Sequence, residues 1–272
     1  MEVRGRMRRR ANVLGVGVDA IDLPVAVERL LGAANAGVSG YVCVTGVHGV
    51  MEAQRDPGLM RILNGSLLTT PDGMPMVWVG RAQGHRRMSR VYGPDLMLEI
   101  CRRTAETGHT HFLYGGAPGV AEELGRRLVA RFPGLRVVGS WTPPFRPLTA
   151  EEEAALAERV AAVRPDFFWV GLSTPKQERF MARYCGRLET RILLGVGAAF
   201  DMHSGRVKQA PRWMQRSGLE WFYRLCQEPR RLYKRYLTNN PKFVIMIALQ
   251  AAGLLERPLE SVTGEPGRDT AA

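Results

Sequence analysis

An α/β chain with a helical C-terminal appendage is the fold class this sequence predicts, on three observations. Short apolar runs alternate with amphipathic stretches as far as about residue 205. The alternation then stops, and the chain turns aromatic and basic. At 272 residues and 45% hydrophobic content, the chain can bury the core of one large domain. Regular alternation of this kind implies parallel strands joined by crossover helices. The expected body is therefore a Rossmann-like, mostly parallel sheet with helices on both faces.

The strand candidates, in order, are "NVLGVGV" (12–18), "YVCVTGV" (41–47), "SLLTT" (66–70), "HFLYG" (111–115), "LRVVGS" (135–140), "FFWVGL" (167–172) and "RILLGVG" (191–197). Between them, helical spacing puts Val120, Leu124, Leu128 and Val129 on one face, and Ala155, Leu156, Val160 and Val163 on another. From residue 206 the pattern reads as helix with interleaved Trp, Phe, Tyr and Arg. Pro229 suits the first turn of a new helix. The organisation read from this is a basic N-terminal segment (1–11), an α/β catalytic core (12–205), a basic, aromatic helical appendage (206–256) and a disordered polar tail (257–272).

The formal net charge of +12 is local. Residues 1–10 carry +4 and residues 206–242 carry +8, which leaves the remainder neutral. Basic patches of this kind meet phosphates, on a nucleotide, a nucleic acid or an anionic membrane. Cys43, Cys101, Cys185 and Cys226 lie far apart, which argues against a disulfide framework and fits a reducing cytoplasm. No signal peptide is evident, and the longest apolar run, "FVIMIALQAAGLL" (243–255), is short of a membrane span.

Polar and glycine signatures collect where the predicted strands end, and parallel α/β sheets bind ligands beyond those carboxyl ends. After the second strand comes Thr45-Gly46-Val47-His48, and after the third "PDG", with Asp72 between proline and glycine. Asp72 either caps the following helix or projects into the cleft as a base. Gly115 and Gly116 of "YGGAPG" offer close backbone approach and a free helix N-terminus for a phosphate. Lys176 and Gln177 open a helix after Pro175, where "K-x-E" otherwise reads as solvated charge. "GVGAAFD" brings Gly197 and Asp201 to the same edge, and Phe200 in the third-glycine position disfavours a dinucleotide loop. The histidines have no ligand spacing and the chain contains no D-x-D, so neither metal nor cofactor is expected. Arginines must then offset any departing diphosphate.

Together, "PDGMPMVW", "RVYGPDL", "YGGAPGVAEE", "VGLSTPKQE", "GVGAAFDMHSGRVKQAPRWM" and "GLEWFYRLCQEPRRLYKRY" resemble the WecG/TagA/CpsF glycosyltransferases, from about Asn12 to about Pro241. The resemblance implies a metal-independent, inverting enzyme of bacterial cell-envelope polysaccharide and teichoic acid assembly. It would move N-acetylmannosamine or a related hexose from a UDP donor to a polyprenyl-diphosphate-linked sugar. By that resemblance Asp72 is the base and Thr45 lies on the acceptor side. Arg90 and Gln177 fall on cleft positions, and Arg224, Arg231 and Lys234 are the appendage's cations. The chain departs from the family's T-x-N in carrying Val47, so either His48 substitutes or the sugar contact differs. Ala198 stands where glycine is usual.

The expected partners are the UDP-sugar, the lipid-linked acceptor and an anionic membrane surface, with the protein cytoplasmic and peripheral to the inner face. Two rivals are a nucleotide-sugar epimerase or dehydrogenase and a nucleic-acid-binding protein using the basic appendage. The first would need a cleaner dinucleotide fingerprint. The second lacks a recognisable nucleic-acid fold, so no nucleic acid is expected.

Overall fold

The computed structural model describes residues 8–259; most of the basic N-terminal segment and of the expected disordered tail lies outside them. The elements run β1 (Arg10–Val13), β2 (Val16–Asp19), α1 (Leu23–Asn35), β3 (Gly40–Thr45), α2 (Val47–Ala53), α3 (Pro57–Gly65), β4 (Leu68–Pro71), α4 (Met74–Ala82) and α5 (Gly93–Thr104). Then follow β5 (Thr110–Gly115), α6 (Val120–Arg131), β6 (Arg136–Trp141), α7 (Ala150–Val163), β7 (Phe167–Gly171), α8 (Lys176–Tyr184), β8 (Ile192–Gly195) and α9 (Ala199–His203). The chain continues through α10 (Arg212–Arg216), α11 (Glu220–Gln227) and α12 (Pro229–Ala251).

Six strands form a wholly parallel sheet in the order β4-β3-β8-β7-β5-β6, so every carboxyl end lies along one edge. Alternate residues of each strand point to opposite faces. Val42, Val44, Phe167, Trp169 and Leu194 pack under α1, α5 and α6, while Tyr41, Cys43, Phe168, Val170 and Leu193 join the core under α2, α3 and α8. This is the expected three-layer body.

The first predicted strand departs from expectation. "NVLGVGV" does not enter the sheet. Leu14 and Gly15 both take positive φ (54° and 84°), the geometry of a tight two-residue hairpin turn, and β1 folds back antiparallel on β2. The buried Asp19 at the end of β2 anchors this hairpin. Its Oδ2 accepts from the backbone of Thr69 on β4 at 2.8 Å, and Arg8 pairs with it at 2.5 Å. On α6, Val120, Leu124 and Leu128 are buried as expected, whereas Val129 is 42% exposed.

The appendage is attached to the body along its length. Leu232 and Phe243 of α12 are buried, and Phe243 joins the same core cluster as Val50 and Met51 of α2. Gln250, which interrupts the apolar run, has a structural task. Its Oε1 accepts from Leu14 N at 2.9 Å, and its Nε2 donates to Asn12 O at 3.1 Å. Among the described residues, no helix is long and apolar enough to cross a membrane.

Candidate active site

The site begins where β3 and β4 end side by side. Thr45 is paired with Pro71, and Asp72 N donates to Thr45 O at 2.9 Å. A Cβ on residue 46 would stand 2.7 Å from the Asp72 carbonyl oxygen, so only glycine allows the two exits to lie this close. Gly73 at φ 96° then turns the chain into α4. Gly73 is the N-cap of that helix, with no side-chain cap. Asp72 is therefore not the cap. Its half-buried carboxylate makes no hydrogen bond to any described residue and lines a cavity of about 940 Å³.

Burial raises the Asp72 carboxyl to about 6. Arg90, Arg224 and Arg235 oppose the rise, and Glu220 adds to it. Desolvation dominates because the carboxylate lacks the donors that would stabilise its charge.

The opposite wall comes from the appendage. Arg90, in the loop before α5, lies 3.8 Å from the Tyr92 ring centroid and forms an ion pair with Glu220. It also donates to Gln215 at 3.3 Å, and Tyr92 donates to Glu220 at 2.5 Å. Gly218, at φ 76°, seats the loop between α10 and α11 against Trp78 and Met74. Four residues after Glu220, on the same helical face, Arg224 enters the cavity, and Arg235 enters from α12. The Nε atoms of Arg224 and Arg235 are both buried without a hydrogen-bond partner. Burial, with repulsion from Arg224 and Arg231, lowers the Arg235 pKa. With Arg90 neutralised by Glu220, the cavity presents two guanidiniums facing one carboxylate.

His48 lines the cavity from α2. Its Nδ1 is 3.3 Å from Asn239 Nδ2, and Asn239 Oδ1 accepts from Arg55 at 3.0 Å. Burial, reinforced by Arg235, lowers the imidazole to about 4, so it is neutral at physiological pH and accepts the amide's hydrogen.

The structure thus brings Asp72, His48, Arg90 and Arg224 around one cavity, with Thr45 buried directly behind. The buried Thr45 Oγ1 has no partner. The other sequence candidates lie elsewhere. Arg231 is exposed and paired with Glu228 at 2.5 Å, and Lys234 is exposed over Tyr233. Gly115 is needed for packing, because a Cβ there would meet the Gly171 backbone at 2.6 Å. A Cβ on Gly116 would meet Val120 at 2.8 Å. Phe200 packs over Gly171 and fills the space a dinucleotide loop would keep open. Asp201 uses its carbonyl to accept from Arg206 and Val207.

Gln177 is buried, with its Oε1 unpartnered near Gly197 and its Nε2 donating to Glu178 at 3.0 Å. Glu178 also accepts from Thr174 at 2.8 Å. "K-x-E" is therefore not solvated charge; Glu178 is a buried acid whose carboxyl is raised by desolvation. Sequence reasoning missed Tyr92, Glu220 and Arg235 as site residues. Tyr92 sits inside "RVYGPDL", and Arg235 shares the i,i+4 strip with Arg231. Glu220 carried no signal beyond its isolation in a basic segment. Among the described residues, no group of three His, Cys, Asp or Glu side chains is arranged to hold a metal ion.

Two curated relatives are each 31% identical to the chain. Both are called N-acetylglucosaminyldiphosphoundecaprenol N-acetyl-beta-D-mannosaminyltransferase. The one from Bacillus subtilis (strain 168) aligns over 195 residues, 72% of this chain and 73% of its own length. The one from Bacillus spizizenii (strain ATCC 23059 / NRRL B-14472 / W23) aligns over 196 residues, 72% and 74%. A family profile matches residues 11–257, so hairpin, sheet and appendage fall within one unit of homology. With that span covering both walls of the cavity, the chain belongs to the glycosyl transferase WecG/TagA/CpsF family and is a glycosyltransferase.

Proposed function

We propose that the protein transfers a hexosamine, N-acetylmannosamine by analogy with its relatives, from a UDP donor to a lipid-diphosphate-linked N-acetylglucosamine. The transfer proceeds with inversion and without a metal ion, in the assembly of a bacterial cell-envelope polymer. The observation that carries this reading is the Asp72 carboxylate. It is raised to about 6, free of hydrogen bonds, and faces two guanidiniums across a cavity that an amphiphilic substrate could enter. The relatives' names supply the acceptor and the sugar.

In this mechanism the acceptor hydroxyl gives its proton to Asp72 as its oxygen attacks the anomeric carbon. The bond from that carbon to the UDP oxygen breaks on the opposite face, and UDP leaves with the electron pair. A base with pKa near 6 is ionised at pH 7 yet still basic enough to take the proton. Arg224, held beside Arg235 in a desolvated wall, offsets the developing diphosphate charge where a metal ion would otherwise act. Arg90 orients the wall through Glu220. His48, one residue beyond Val47 at the family's asparagine position, accepts from Asn239 only while neutral and stands where it can take over the missing sugar contact.

The outer surface of the appendage supports a peripheral site at the inner membrane face. Trp213, Phe222, Tyr233 and Ile245 are exposed among basic side chains, away from the cavity lining. Aromatic and cationic residues mixed in this way favour an anionic lipid interface.

The test is a donor screen with an N-acetylglucosaminyl lipid-diphosphate acceptor, following UDP release and the anomeric configuration of the product. Release of UDP from UDP-N-acetylmannosamine with an inverted product is expected. Retention of configuration, or no release from any UDP-hexosamine, would sink the reading.

A further inference from the structure

The cavity is much larger than a sugar and a diphosphate require, and its polarity is divided. One end carries every charged lining residue, Asp72, Arg90, Glu220, Arg224 and Arg235. The other runs as an open groove between α4 and α12. Its α4 side is Trp78, Val79 and Ala82, and its α12 side is Val244, Ala248 and Ala251. The α12 residues recur at intervals of three and four, a single stripe on the helix. Pro241 extends the same stripe by one more step of three, and from Pro241 to Ala251 it covers eleven residues, ten rises or about 15 Å of helix. Three of the six side chains are alanine, so the two helices leave a channel between them.

Both walls are fixed. Phe243 and Gln250 hold α12 to α2 and the hairpin, and Gly218 holds the α10–α11 loop against Trp78. The groove is thus a formed feature whose floor does not depend on a ligand. Exposed apolar surface of this extent on a soluble face marks a ligand or a partner. Its continuity with two desolvated, incompletely paired guanidiniums decides which. The matching ligand is an amphiphile with an anionic head and a long apolar tail.

We infer that the α4–α12 groove binds the first isoprene units of the acceptor lipid, with Arg235 at the groove's charged end holding the diphosphate to which they are attached. This rests on the acceptor class proposed above and adds the place where its tail lies. Arg235 is assigned to the acceptor because it stands on α12 itself, less than two turns before the stripe begins. Arg224, on α11, is left to the nucleotide diphosphate. The enzyme therefore measures the tail as well as the head of its acceptor, and the tail delivers the sugar hydroxyl to Asp72 at a fixed distance.

The experiment is binding of farnesyl diphosphate and of dimethylallyl diphosphate in solution, followed by calorimetry, on wild type and on Ala248→Trp. Ile245→Trp, which places a tryptophan on α12 outside the groove, serves as the control. Wild type is expected to bind the longer tail at least ten-fold more tightly. Ala248→Trp should collapse that ratio toward one, and Ile245→Trp should keep it. Arg235→Ala should weaken both diphosphates together. Equal binding of the two lengths by wild type, or a ratio untouched by Ala248→Trp in a protein that melts like wild type, overturns the groove. A preserved tail preference with no sugar transfer to any lipid-linked acceptor leaves the groove standing and removes the proposed reaction instead.

Discussion

Replacing Asp72 by asparagine should make the enzyme slower and its fold more stable at once. The carboxyl is raised from 3.8 to about 6, roughly two units, and each unit corresponds to about 1.4 kcal/mol. Above pH 6 the ionised side chain therefore costs the folded state up to about 3 kcal/mol. Its opening to the cavity lowers this to about 1–3 kcal/mol. The sign follows from the direction of the shift. Below about pH 3 the group is protonated in folded and unfolded chains alike and costs nothing. Between pH 4 and 6 the folded state retains a proton that the unfolded state has lost, and stability falls as pH rises. Asparagine, neutral throughout, escapes this. At pH 7.5 Asp72→Asn should raise Tm by about 2–6 °C, at roughly 2 °C per kcal/mol for a chain of this size. At pH 3 the two proteins should melt together. Turnover should fall by about 10²–10⁴-fold, the loss expected of a general base. Wild-type kcat/KM should lose activity below a single limb near pH 6. Thermal melts across pH 3–8 and UDP-release kinetics measure both halves. Near wild-type turnover would refute the base. A Tm at pH 7.5 equal to or below that of wild type would refute the desolvated carboxylate.

The remaining expectations concern the cations and the surface. Arg224→Ala should depress turnover by about 10²-fold or more on a water-soluble acceptor analogue, while Arg231→Ala, exposed and paired with Glu228, should stay within a few-fold; equal losses would mean that Arg231 enters the cavity during turnover. Activity should survive EDTA, and complete loss restored by Mn²⁺ or Mg²⁺ would show that the arginines do not suffice. The full chain should sediment with anionic vesicles at low salt and release at high salt, since each lipid-facing cation contributes about 1 kcal/mol; indifference to vesicle charge would remove the membrane face. Deleting everything after Gly205 should abolish transfer to a soluble analogue, because Arg224, Arg235 and Glu220 leave with it, and retained activity would reduce the appendage to an anchor.

Most of the body was legible in the sequence because a buried parallel sheet writes itself as apolar runs. Six of the seven predicted strands lie in the sheet within a few residues of their expected ends. The seventh, "NVLGVGV", misled because Leu14, a non-glycine residue at φ 54°, supplies half of the turn, and no turn residue other than Gly15 marks it. At the site, Asp72 was visible as an isolated acid at a strand exit. Its separation from a helix cap needed the backbone of Gly73. Glu220 and Arg235 were hidden because their meaning is a long-range pairing, Glu220 with Arg90 across 130 residues of chain. Glu178 was misjudged for the same reason. Its burial depends on Thr174 and Gln177 folding over it, which spacing along a helix does not encode.

The hydrogen bonds from Leu14 N to Gln250 Oε1, from Gln250 Nε2 to Asn12 O, and from Asn12 Nδ2 to Arg257 O at 2.7 Å join the two extremities of the described chain. During synthesis the hairpin emerges first and waits for a partner almost a full chain length away. The appendage wall of the cavity is incomplete until α12 has left the ribosome, so a nascent chain holds Asp72 without Arg235 facing it. The same closure makes the molecule nearly circular in its connectivity. New ends opened in an exposed loop such as that before α7, with a short linker joining residue 8 to residue 259, should give a permuted protein that folds around the same site.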